Sequence, residues 1–234
     1  MRELFLVCKI ASEHSEAKDR ILNPHQTPIV RLVDDDEHLL KAQSTFLRMA
    51  NLEVKTYSSA MKFLEEDDLS IPGCLILDVR MPKMSGIELQ AEMKRRGLDL
   101  PIIFLSAHGD IEMAVEAVKR GAKTFLTKPP SLEKLISVIE ESIAENVAHK
   151  KLESEYQELE NIWGKLTPAE QQVAQMVAKG LTTTIIGSAL ECSERTVRAR
   201  KSEIYFKLDV ENAAELSQFI HYLEDARKVF KKEQ

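Results

Sequence analysis

"CLILDVRMPKMSG", residues 74–86, runs four apolar residues into Val79 past one aspartate, Asp78, and then breaks at a proline and a glycine. "CLILDV" is apolar on both faces, as a central parallel strand buried under helices must be. A strand of that kind ends in a loop at the carboxyl edge of its sheet, and Asp78 is what it delivers there. Why it does so depends on what the neighbouring strands deliver to the same edge.

Upstream, "IVRLV" (29–33) is β-branched and apolar and stops at Asp34-Asp35-Asp36. "HLLKAQSTFLRMA" carries Leu39, Leu40, Phe46 and Leu47 at helical spacing, "EVKTY" (53–57) is a short strand, and "SSAMKFLEED" is a short helix capped by Ser58 or Ser59. Downstream come a helix "GIELQAEMKRR", a strand "PIIFLSA", a helix "DIEMAVEAVKRGA" closed by Gly121, and a strand "KTFLTKPP". A helix "SLEKLISVIEESI" follows, with Leu132, Leu135, Ile136, Ile139 and Ile143 on one face. Five strands alternating with five helices predict an α/β doubly wound, five-stranded parallel sheet of flavodoxin-like type.

The bulk numbers frame this. A length of 234 residues suggests two domains, and 44% apolar with 30% charged residues is the balance of a globular protein. Net charge is -6, so any nucleic-acid surface must be local. The opening "MRELFLVCKIAS" has a short apolar run broken by Lys9 and no cleavage site, and no stretch approaches the roughly 20 apolar residues of a membrane span. Cys8, Cys74 and Cys192 have no metal or redox spacing. A cytoplasmic protein with reduced thiols and no membrane partner is expected.

After Ile143 the composition shifts. "AENVAHKKLESEYQELENIWGKL" is charged and helix-forming, with Leu152, Tyr156, Leu159, Trp163 and Leu166 every three or four residues. It reads equally as a helical linker with a self-associating seam or as an extension of the preceding helix that spaces two domains. From Thr167 onward only helices remain: "TPAE" is a capping box with Pro168 at the first helical position, Gly180 ends that helix, and "TTTIIGSALE" forms a second. "SERTVRARKSEIYFKL", capped by Ser193, forms a third, and "ENAAELSQFIHYL" a fourth. The expected division is an unassigned extension 1–27, an α/β domain 28–146, a helical linker 147–164 and a small all-α domain 165–234.

At the carboxyl edge of the sheet, where open parallel sheets bind ligands, the strands deliver Asp34-Asp35-Asp36, Asp78, Ser106 and Lys128. Gathered carboxylates repel one another and favour a hard cation such as Mg²⁺. One carboxylate left free is a nucleophile for a phosphoryl group, with metal and lysine neutralising the developing charge. Each element alone is commonplace: a "DDD" is usually a solvated turn, and a serine at a strand end is usually a cap. Their coincidence at one edge is not.

"VDDDE", "LILDVRMPKMSG" and "IIFLSAHGDIEMAVEAVKRGAKTFLTKP" together resemble the receiver domain of two-component response regulators, the last stretch especially the FixJ subfamily. The resemblance implies that Asp78 accepts a phosphoryl group from a sensor histidine kinase. It implies Mg²⁺ on Asp35, Asp78 and the Arg80 carbonyl, with Asp34 acting through water. It further implies that Lys128 pairs with the acyl phosphate, that Ser106 turns toward a phosphoryl oxygen, and that Phe125 rotates inward behind it. Asp36, beyond what the family pattern uses, is expected to be solvated; Arg80 and His108 stand where the family varies its side chains; Pro130 replaces the more usual aromatic.

In "SERTVRARKSEIYFKL", about 100° per residue places Val197, Ile204 and Leu208 on one side and Arg195, Arg198, Ala199 and Ser202 on the other, with Phe206 also opposite the core. Basic residues opposite an apolar stripe fit either a solvated face or a DNA-recognition helix. The stretch "LTPAEQQVAQMVAKGLTTTIIGSALECSERTVRARKSEIYFKL" resembles the LuxR/NarL-type helix-turn-helix, departing from it at the apolar "TTTIIGSAL" and at Phe206. The resemblance places Arg198, Ala199 and Ser202 at base edges and Arg200, Lys201 and Lys207 at phosphates, with Arg195 and Thr196 beside them. So few basic contacts per copy imply binding by two copies.

The expectation is a transcription factor rather than an enzyme. Phosphorylation would favour a homodimer through the 110–122 helix and the fifth strand, and RNA polymerase is a further conceivable partner of the DNA-bound form. The rival expectation is a phospho-relay or protein-interaction regulator whose helical domain does not touch DNA.

Overall fold

The structure is a computed structural model that describes residues 27–107 and 117–230. The described chain divides into two compact units between Lys150 and Lys151. This falls inside the 147–164 stretch read as a linker.

The first unit holds strands β1 (Ile29–Val33), β2 (Glu53–Tyr57), β3 (Gly73–Asp78), β4 (Ile102–Ser106) and β5 (Thr124–Thr127). They form one parallel sheet in the order β2-β1-β3-β4-β5. The order reverses between β1 and β3, which makes their carboxyl ends the switch point where ligands bind in such sheets. Helices α1 (Glu37–Met49), α2 (Ala60–Glu66) and α3 (Gly86–Arg95) intervene. Most of the 110–122 helix lies outside the described residues.

The three central strands explain the unbroken apolar runs. In β3 successive residues face opposite cores: Leu75 and Leu77 join Val33 and Phe104 on one side, while Cys74 and Ile76 join Val30, Leu32 and Ile103 on the other. Burial pushes the Cys74 thiol up to about 12, so it behaves as a small apolar filler.

One residue breaks the apolar reading of β1. Arg31 is wholly buried. Its Nε donates to Asp67 at 2.5 Å, its Nη2 to the carbonyls of Asp68 and Ile71 at 2.9 Å each, and its Nη1 to the Ile29 carbonyl at 3.2 Å. Tyr57 donates a further hydrogen bond to Asp67. The loop after α2 is thus fastened to the sheet by a buried, fully hydrogen-bonded ion pair.

The long helix α4 (Leu132–Trp163) is continuous, the second of the two readings the sequence offered: the stretch after Ile143 extends the preceding helix. Ser131, directly after Pro130, caps its start, its Oγ accepting the Lys134 amide at 3.3 Å. Leu135 and Ile139 are buried as expected, whereas Leu132 is exposed. Asn146, also buried, accepts the Gly73 amide at 2.9 Å, and Lys150 donates to the Leu69 carbonyl at 2.7 Å.

Beyond Lys150 the same helix serves the second unit. Tyr156, Leu159, Ile162 and Trp163 pack into its core with Leu166, so the proposed self-associating seam is largely covered within the chain, leaving Leu152 exposed. The unit continues with α5 (Pro168–Ala178), α6 (Thr183–Ala189), α7 (Glu194–Leu208) and α8 (Ala213–Phe230). The last helix runs longer than the predicted "ENAAELSQFIHYL" because its end is held: Phe230 stacks on Tyr156 at 5.0 Å, and Arg227 grips Glu160 with two bonds of 2.6 and 2.7 Å.

Candidate functional site

The β1–β3 register pairs Val33 with Leu77, so the next residues, Asp34 and Asp78, leave the sheet side by side. Lys128, one residue past β5, closes the group. Its Nζ donates to Asp34 Oδ2 at 2.6 Å and also to Asp78 Oδ1. Asp34 and Ser106 are buried, and the Asp78 and Lys128 side chains are largely so. The strand tips do converge.

Burial pushes the Asp78 carboxyl upward, against the pull of Lys128. Burial also works against the Lys128 ammonium, but its bonds to Asp34 and Asp78 more than offset this and hold it above its ordinary value. The ammonium is the charge that lets two carboxylates sit together here.

The loop after Asp78 is fixed from both sides. Asp78 Oδ2 accepts the Arg80 amide at 2.7 Å, and the Gly86 amide donates to the Val79 carbonyl at 3.0 Å. Gly86 begins α3 pressed against β3: a Cβ on it would stand 2.2 Å from the Asp78 carbonyl oxygen. That close approach is why the motif ends in glycine. Ser85 and Glu88 close a capping box on the same helix.

Asp35 is exposed and lines a cleft with Val79, Arg80, Met81, Pro82, Ser85 and Ile87. Asp36 is more than solvated: it caps α1, accepting the amides of His38 and Leu39 at 2.9 and 3.1 Å. Among the described residues no three His, Cys, Asp or Glu side chains cluster as a metal site. A divalent cation here would therefore need backbone and water oxygens beside one or two carboxylates, the set Mg²⁺ prefers. Asp35 and Arg80 line one cleft, so a carboxylate and a backbone carbonyl of that kind are present beside the Asp78 loop. Phe125 is half-buried with its ring 6.4 Å from Phe104, and the Ser106 carbonyl accepts the Lys128 amide at 2.7 Å. His108 lies outside the described residues.

In the second unit the predicted core face of α7 is met: Val197, Ile204 and Leu208 are wholly buried. Arg195, Arg198, Ala199 and Ser202 are exposed, with Thr196, Arg200 and Lys201 intermediate. Two ion pairs were not legible beforehand. Glu194 accepts from Arg198 at 2.8 Å and from the Thr184 hydroxyl of α6 at 2.8 Å, linking the two helices of the helix-turn-helix. Lys207, expected at a phosphate, places its ammonium 2.7 and 2.8 Å from the two oxygens of Glu170.

Glu170 is also the capping-box acid, accepting the Thr167 amide at 2.7 Å. The bond from Lys207, and then that from Thr167, holds its carboxyl below the ordinary 4.5. A depressed carboxylate stabilises the fold above its unfolded value and loses that contribution as pH falls through the folded one. Glu170→Gln is expected to cost about 1 kcal/mol at pH 7, with the gap from wild type closing as pH falls below about 4.5. Trp163, the only tryptophan and buried in this unit, reports the unfolding by fluorescence.

Comparison with known proteins agrees with both halves. The response regulator receiver domain matches residues 30–140, and the family of bacterial regulatory proteins of luxR type matches residues 164–220. The response regulator protein TmoT of Ectopseudomonas mendocina is 38% identical over 87% of this chain and 92% of its own length. This chain belongs to the response regulators. The regulator is also 32% identical to the transcriptional regulatory protein FixJ of Azorhizobium caulinodans, over 82% of this chain and 91% of that one. The solved structure of the response regulator StyR superposes with a TM-score of 0.78 at 38% identity, covering 84% of this chain and 99% of StyR. The regulator thus carries a receiver fold and a LuxR-type DNA-binding domain. Among the described residues no helix is long and apolar enough to cross a membrane.

Proposed function

We propose that the regulator is a cytoplasmic, phosphorylation-controlled transcription factor whose phosphoacceptor is Asp78. The observation that carries this is Lys128, whose ammonium joins Asp34 to Asp78 at the switch point of the sheet. A carboxylate oxygen of Asp78 attacks the phosphorus of a phosphohistidine on a sensor kinase. The new P–O bond forms as the P–N bond breaks, and the imidazole leaves with its electron pair to take up a proton.

Asp35, Asp78 and the Arg80 carbonyl, with Asp34 through water, would hold Mg²⁺, which when bound would supply positive charge to offset that on the phosphoryl oxygens. Lys128 pairs with the acyl phosphate. Ser106, buried beside it, turns its hydroxyl to a phosphoryl oxygen, and Phe125 takes the space this opens against Phe104. The cycle assigns the regulator no turnover of a small substrate.

Incubation with acetyl phosphate and Mg²⁺ should retard the protein in a phosphate-affinity gel, and EDTA should abolish the shift. An unshifted wild-type band would refute the reading.

The output is DNA binding by α7, with Arg198, Ala199 and Ser202 at base edges and Arg195, Thr196, Arg200 and Lys201 around them. Lys207 joins these only by giving up Glu170. Phosphorylation favours a homodimer through the 110–122 helix and β5, presenting two copies of α7 to a two-half-site operator and, beyond it, to RNA polymerase. Sedimentation with and without acetyl phosphate checks the dimer. Arg198→Glu reverses charge in the groove, and loss of the gel shift separates DNA binding from a purely protein-interacting role.

A further inference from the structure

Phe206 is 85% exposed, the most exposed of the large apolar side chains described. Its place on α7 is specific. With Val197 set at zero, about 100° per residue puts Phe206 near 180°, within about 40° of Arg195, Ala199 and Ser202. The ring therefore stands on the line of the DNA-reading face, four residues or about 6 Å along the axis beyond Ser202. Side chains on a helix lean back toward its N-terminus, so the ring covers the turn that carries Ser202. That is toward the groove floor rather than away from it.

The nearby charges favour a base contact over a phosphate contact. Lys207, the adjacent cation, is held by Glu170 on the other flank of the helix. At this end of α7 the groove-facing group is thus an uncharged ring. In the major groove the apolar feature a base can offer is the C5 methyl of thymine.

We propose that Phe206 is a specificity-determining residue that packs its ring on a thymine methyl in each half-site. The inference rests on α7 being the recognition helix. The occupant is duplex DNA, because the ring shares its exposed helix face with Arg195, Ala199 and Ser202, and Arg195 gives that face the charge a polyanion meets.

The test uses the full-length, acetyl phosphate-treated protein to select duplexes from a random library, in parallel for wild type, Phe206→Ala and Arg198→Ala. Each thymine of the wild-type consensus is then replaced singly by deoxyuridine. One thymine per half-site is expected whose methyl loss weakens wild-type binding about three- to tenfold and leaves Phe206→Ala unchanged. The Phe206→Ala pool should lose its preference at that position and keep the rest.

If Phe206→Ala selects the wild-type consensus with wild-type affinity while Arg198→Ala changes it, α7 reads DNA and Phe206 does not. Loss of transcription without loss of binding in Phe206→Ala would move the ring to a protein surface and overturn the proposal. If neither substitution alters selection, the recognition-helix reading itself fails.

Discussion

Asp78→Asn should leave the regulator unlabelled by acetyl phosphate and Mg²⁺ under conditions that shift the wild type fully. The amide keeps the shape of the carboxylate and its oxygen can still accept the Arg80 amide, which lies 2.7 Å away in the wild type. It lacks the anion that attacks phosphorus. Lys128 retains Asp34 at 2.6 Å as its counter-charge, so the folded unit should survive and the loss be chemical. Circular dichroism checks that, and the phosphate-affinity gel reads the chemistry. Lys128→Ala provides the graded companion. It removes a preorganised donor from developing charge, which costs about a hundred- to a thousandfold in rate, so labelling should be slow rather than absent. Equal labelling of Asp78→Asn and wild type would transfer the acceptor role to another residue and dissolve the account of the loop.

The largest stability effect is expected away from the site. Asp67→Ala leaves the Arg31 guanidinium buried without its counter-charge, and breaking a buried pair in this way costs about 3–5 kcal/mol. In a protein of this size that lowers the midpoint of the receiver unit by roughly 10–20 °C, measurable by calorimetry. Burial, and then the bond to Asp67, holds the Tyr57 hydroxyl protonated well above its ordinary range, so Tyr57 donates to Asp67 at any ordinary pH. Tyr57→Phe should cost about 1 kcal/mol, one hydrogen bond without an orphaned charge. Replacing the pair together, Arg31→Met with Asp67→Leu, should recover most of the loss, because no charge then remains to desolvate. A full-sized loss in the double variant would mean that the pair serves packing rather than charge.

The sheet was legible because its signal is local. Runs such as "CLILDV" have to be buried on both faces, and an aspartate ends β3 and directly follows β1. The core face of α7 was legible for the same reason, since Val197, Ile204 and Leu208 repeat at helical spacing. Arg31 was missed because a single charge inside an apolar strand looks like an outward residue until Asp67 and the carbonyls of Asp68 and Ile71 are seen to surround it. The partner of Lys207 was missed similarly: its position on the helix suggests a phosphate, and only the packing of α5 brings Glu170 within reach. Asp36 carried a readable signal, an aspartate directly before a helix, that its acidic neighbours obscured.

The order of charged residues along this chain already determined that two acids, a lone aspartate, a serine and a lysine would gather at one sheet edge, because parallel strands all carry their ends to the same side. What the chain order could not determine is which charges neutralise which. Lys128 on Asp34 and Asp78, Arg31 on Asp67 and Lys207 on Glu170 are pairings across 94, 50, 36 and 37 positions. Coulomb attraction and desolvation act through space, so the packed tertiary structure decided those partners.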